Sequence, residues 1–194
     1  MRNFNSKNYP EGLRPLLERD VPSPLGPGKP DPAKIKQIDA AKVVEQLMEA
    51  GAREEAMCQA CLSGIYLLHD ALDRSHDLSQ AITGPTGSFW HGIMHRREPD
   101  YPNAKYWFAK VGEHPVFPVL HTESSRLSEE QPSSARTLFL FNQDHWNADA
   151  FIDFAEAVHG SASADEKLAQ AIQQREWELL FDYSFQAAMG ASVE

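Results

Sequence analysis

The chain has 194 residues, a formal net charge of −10, 42% hydrophobic and 24% charged side chains. That length suits one domain able to form a core without staples. A surface this acidic, with no local basic patch, argues against nucleic acid. No run of 18 apolar residues offers a membrane span, and the leading MRNFNSKNYPEG has no apolar signal segment.

In chain order, residues 1–20 are polar, with a short helix expected around Leu13, Leu16 and Leu17. VPSPLGPGKPDP follows, with Pro22, Pro24, Pro27, Pro30 and Pro32, and so many prolines exclude helix or central strand. We expect residues 1–32 to form an extended arm, laid over the body or used for homo-oligomerisation, and residues 33–194 to form the helical domain. Asp31 caps the next helix with Pro32 just inside; Ile35, Ile38, Val43, Val44 and Leu47 give its apolar face, and Gly51 its stop. A longer helix is predicted from Ala52 to about Asp77, with a stripe of Met57, Cys61, Ile65, Leu68 and Leu72. Cys58 and Cys61 fall in its middle on the apolar side, which reads as two buried thiols, not a redox pair, and fits a reducing cytoplasmic location.

TGPTG, residues 83–87, reads as a turn. Phe89, Trp90 and Ile93 then set a helix from Ser88 to Glu98, capped by Ser88 and ended by Pro99. Asp100 caps a second helix, with Pro102 in its first turn, that runs to Val111; Gly112 and Pro115 stop it. Residues 88–115 thus form a helical hairpin. Beyond it, Phe117–Leu120 is expected to be a helical turn, Thr122–Arg136 a Ser- and acid-rich loop, and TLFLF a buried turn or helix, with a lone strand as the alternative. Asn147 or Asp149 caps a helix that ends at Gly160. Ser163 and Glu166 form a capping box for the last helix, whose wide apolar face suits a central position. The fold class is therefore all-α, a single multi-helical, bundle-like domain with a Pro-rich N-terminal arm.

Two groups of residues carry chemistry. His91, His95 and Glu98 follow i, i+4, i+7, and so do His69, Asp73 and His76 on the long helix, so each set occupies one stripe. If the stripes face solvent they are ordinary polar faces; if they face each other across a cleft, His69, His76, His91 and His95 with Asp73 or Glu98 suit a divalent metal such as zinc, iron or manganese. The second group is a pocket on the hairpin, His95, Arg96, Arg97, Asn103, Tyr106, Trp107 and His114, combining anion-binding, hydrogen-bonding and stacking groups for a small anionic or polar ligand. Arg97 falls on the apolar side of its helix and needs an acid, Asp70 or Asp73, as mate.

The block His95-Arg96-Arg97-Glu98, Asp100, Asn103-Ala104-Lys105-Tyr106-Trp107-Phe108, Gly112 and His114-Pro115 resembles one in a family of uncharacterised bacterial and fungal helical proteins, and QREWELLFDYSFQAA is similar to a later part of it. That resemblance implies a helical fold and transfers no activity. Ala104–Phe108 also faintly resembles the second helix of Sel1 or tetratricopeptide repeats, although no such period recurs. The histidines resemble those of DinB-like bundles in type, not in order. Function is expected to be that of a small-ligand-binding protein or enzyme; the alternative is a non-catalytic helical interaction module with an aromatic groove.

Overall fold

The computed structural model describes residues 4–130 and 134–191. Residues 131–133 of the predicted 122–136 loop and the first three residues of the arm lie outside them. The described residues form two short 3-10 turns, at Ser6–Asn8 and Glu11–Leu16, and ten α-helices, with no strand. The helices are α1 Pro32–Gln37, α2 Ala40–Glu49, α3 Glu55–Leu68, α4 Leu72–Ala81 and α5 Pro85–Arg97. They continue as α6 Tyr101–Val111, α7 Val116–Glu129, α8 Phe139–Asn142, α9 Ala148–Val158 and α10 Ala164–Ala188. None is long and apolar enough to cross a membrane.

The 25-residue α10 packs against α3, α5, α7 and α9 and holds the centre. Ser163 accepts from the Glu166 amide, and the Glu166 carboxylate takes the amides of Gly160 and Ala162, so the expected capping pair closes this end. Trp177 donates its indole N–H to the Gly64 carbonyl at 2.8 Å, and Trp90 donates to Ser184 Oγ at 3.2 Å, so two large rings are buried with their polar tips satisfied. Gly64 makes room for this: a Cβ there would lie 2.8 Å from two Trp90 ring carbons. The arm joins the same core. Tyr9 is buried against Phe181 and Phe185 and donates to Asp182, while Leu13, Leu16, Leu17 and Leu25 are also covered.

Several expectations need correction. The helix predicted from Ala52 to Asp77 is two helices, α3 and α4, broken at residues 69–71. The break contains neither Gly nor Pro. Asp70 adopts φ 61°, a left-handed conformation that Asp tolerates better than most residues. Arg97 donates to Asp70 Oδ1 (2.5 Å) and to the Leu67 carbonyl (2.9 Å), while Arg19 donates to Asp70 Oδ2 (3.0 Å) and to the Leu68 carbonyl. Arg19 thus satisfies the Leu68 carbonyl at the end of α3, and Arg97 adds a second donor to the Leu67 carbonyl, which also accepts the Asp70 amide. The helix after Asp31 is likewise two, because Asp39 caps α2 through the Lys42 amide. The Thr83–Gly87 turn is partly helical: α5 begins at Pro85, and Ser88 sits inside it instead of capping it. Most of the predicted Thr122–Arg136 loop belongs to α7, which also absorbs Phe117–Leu120. TLFLF ends in α8, where Leu140 is buried while Leu138 and Phe141 are exposed.

Candidate metal centre

α4, α5 and α6 pack in succession, with the α5–α6 hairpin closed by Glu98–Asp100. The Asp100 side chain accepts from the Asn103 amide and starts α6 as expected. α5 is covered on both sides: His91 is 1% exposed and His95 6%, so their stripe faces the interior. The break at Asp70 turns α4 so that His76 meets this stripe, with ring centroids 4.6 Å from His91 and 5.5 Å from His95. One ring nitrogen from each of His76, His91 and His95 can be chosen so that all three lie within 4.8 Å of one another.

The outer contacts orient these rings. Ser79, three residues after His76 on α4, lies 2.9 Å from His91 Nδ1, and its hydroxyl donates to the His76 carbonyl. With its hydrogen so directed, the Ser79 oxygen can accept from His91 Nδ1–H, the tautomer that leaves the lone pair on Nε2. His95 Nδ1 lies 3.4 Å from Glu98 Oε2 and 3.9 Å from Asp100 Oδ2, so carboxylates favour its proton on Nδ1 as well. The two Nε2 atoms face each other at 3.0 Å. At that distance one Nε2–H can donate to the other, and a cation bound between the rings would replace that proton. The Asn103 amide nitrogen is 3.2 Å from His95 Nε2, and Trp107 closes the far side with its ring 4.1 Å from that of His91.

Electrostatics disfavours the charged forms of His91 and His95. Burial, then repulsion from His95, His76 and Lys110, lowers His91 to about 3. Burial also lowers His95, against the pull of Glu98 and Asp100. Neutral imidazole is the ligand form. Tetrahedral zinc, with bonds of about 2.0–2.1 Å, separates its nitrogen ligands by about 3.3 Å. The His91–His95 pair is already near that, and the loosest pair would close by about 1.5 Å at most. The His76 side chain is one-third exposed, which leaves it free to make that adjustment. Beyond the Nδ1 edge of His95, Glu98 and Asp100 border an open cleft of 660 Å³ that is also lined by Pro27, Asp70, Asp73 and Arg74; none of the three histidines lines it.

The other predicted site residues lie elsewhere. His69 hydrogen-bonds the Leu16 carbonyl through Nε2 at 2.9 Å and belongs to the arm contact. Asp73 is exposed on the cleft. Arg97 is spent on Asp70, the Leu67 carbonyl and the arm carbonyls of Gly26 and Pro27. Arg96 is buried in a pair with Glu176, near Gln173 and over the Phe151 ring at 4.6 Å. His114 accepts the Val116 amide and lies 3.4 Å from Thr86. Tyr106 is 56% exposed. Of the hairpin pocket, only His95, Asn103 and Trp107 meet at the centre. Ser79 and Asp100 are the site residues that sequence reasoning left out; Ser79 carries no local signal, since its role arises from α4 packing on α5. No protein-family model matches the chain, and neither the curated proteins nor the solved structures contain a match to it.

Proposed function

We propose that this chain is a metalloprotein that binds a divalent transition metal through His76, His91 and His95. The observation that carries this reading is the pair of inward-facing Nε2 atoms, each backed by an Nδ1 partner, Ser79 or Glu98. An outer hydrogen bond of this kind fixes the tautomer and orientation of a ligating histidine. Buried thiols at Cys58 and Cys61 support a reducing, cytoplasmic setting. An aromatic groove for a partner protein is less well supported, because Phe108 is buried and Trp107 is packed on His91.

The test is metal content and cobalt absorption of the untagged chain, stripped and reloaded. One ion per chain is expected in the wild type and in His69→Ala, with loss in His91→Ala and His95→Ala variants that keep their helical circular dichroism. Ser79→Ala should weaken binding about 10- to 100-fold. A folded wild type that holds no stoichiometric zinc or cobalt refutes the reading.

A further inference from the structure

Resting on that reading, we infer that Asn103 supplies a fourth ligand through its amide oxygen, so that the ion is enclosed by side chains and ties α4, α5 and α6 together. The first support is position. The Asn103 amide nitrogen stands 3.2 Å from His95 Nε2 and 3.5 Å from His95 Nδ1, so the amide lies nearer the nitrogen that meets His91. The Nε2 atoms of His91 and His95 are 3.0 Å apart. Nitrogen ligands of a tetrahedral zinc are separated by about 3.3 Å, so His95 Nε2 has two neighbours near ligand spacing, one from α5 and one from α6. His76 brings a nitrogen from α4 to within 4.8 Å of the other two histidines.

The second support is chemistry. Without metal, the Asn103 NH2 group faces the His95 Nε2 lone pair as a donor. An ion that takes this lone pair leaves the NH2 group with no acceptor there. Half a turn about the last side-chain bond then exchanges Nδ2 for Oδ1 while the backbone of α6 stays in place, because the two ends of an amide are nearly equal in size. The oxygen that arrives is a neutral donor, as the three imidazoles are.

The third support is that the other polar side chains at these rings stand on the wrong edges. Ser79 meets His91 at Nδ1, and Glu98 and Asp100 meet His95 at Nδ1. Asp77 lies 3.7 Å from His76 Nδ1, but its side chain is 82% exposed. Trp107, one turn beyond Asn103 on α6, holds its ring 4.1 Å from that of His91. α6 thus covers the histidine pair with one oxygen-bearing side chain, Asn103, and one aromatic ring.

The experiment uses the full chain loaded with zinc or cobalt(II), with azide as the probe of a free coordination position. Cobalt in the wild type should give four-coordinate absorption that azide leaves unchanged. Asn103→Ala, with its helical circular dichroism intact, should bind zinc at least about 10-fold more weakly and gain an azide-dependent shift of the cobalt bands. Asn103→Asp separates ligation from hydrogen bonding, since a carboxylate can hold the ion but cannot donate to His95. It should bind zinc at least as tightly as wild type and stay insensitive to azide, and Asp77→Asn should behave as wild type. An azide response in the wild type equal to that of Asn103→Ala overturns the assignment. So does an Asn103→Asp chain that binds zinc as weakly as Asn103→Ala, or an azide response that appears in Asp77→Asn. A wild type that binds neither zinc nor cobalt fails the earlier reading instead.

Discussion

Replacing Asp70 separates two contributions that the structure superimposes at one residue. Its carboxylate is 4% exposed and joins Arg97, whose side chain is 2% exposed, to Arg19, at 18%. Removing one partner of a buried ion pair costs about 3–5 kcal/mol, because the other charge is left uncompensated. Arg97 keeps its carbonyl acceptors Gly26, Leu67 and Pro27, which places the loss toward the lower end. The backbone acts in the opposite sense. At φ 61° any Cβ carries a penalty of about 1–2 kcal/mol that glycine does not. Asp70→Ala should therefore destabilise by about 3 kcal/mol and Asp70→Gly by about 1 kcal/mol less, since both lose the carboxylate and only glycine escapes the strain. Asp70→Asn should be mildest, because asparagine tolerates this conformation and retains an acceptor. Urea denaturation with a common m-value measures all three. An alanine variant within about 1 kcal/mol of wild type, or a glycine variant less stable than alanine, would refute this account of the α3–α4 break.

Acid should unfold the metal-free chain early. Burial pushes His114 down to about 4 and His91 to about 3, from an ordinary value of 6.5. Stability from these neutral rings is fully present above pH 6.5 and is lost as pH falls toward the folded values, because the unfolded chain takes up protons first. Each ring should cost about 2 kcal/mol between pH 7 and 5, so chelated protein should lose about 4 kcal/mol in urea melts; a change under about 1 kcal/mol would mean the rings protonate within the fold. Gly64→Ala should destabilise by about 1–3 kcal/mol, since its Cβ would press on the rigid Trp90 ring, and thermal denaturation would show it. An unchanged melting temperature would mean that α3 shifts to admit the methyl.

The sequence was most legible where a helix carries its own boundary signals. Asp31, Asp100, Asn147 and Ser163 each accept from a first-turn amide, so four of the expected helix starts have a local cause, while Asp39 caps α2 in the same way inside what read as one helix. It was least legible where distant groups decide. The α3–α4 break is held by Arg19 and Arg97 from other segments, and no residue between 68 and 72 announces it. That break removes His69 from the predicted stripe and brings His76 to α5, so the site could be half read: His91 and His95 lie together as their spacing implies, whereas their third partner depends on the break. α7 was hidden for another reason. Its buried face includes Ser124 and Ser128, and Ser124 satisfies its hydroxyl on the His121 carbonyl, so its apolar periodicity is faint.

The proline segment beside the hairpin is anchored by the buried Leu25 and by hydrogen bonds to its carbonyls. Gly26 and Pro27 receive Arg97, and Ser23 and Pro24 receive Gln173. A proline has lost its N–H but not its oxygen, so the hydrogen bonds come from donors reaching out from the body. Those hydrogen bonds are blind to the segment's side chains, although the buried Leu25 and the tightly packed Gly26 are not free to change. Residues 22–27 can therefore drift in identity at little expense wherever their side chains are uncovered, while the two donors that clasp them cannot.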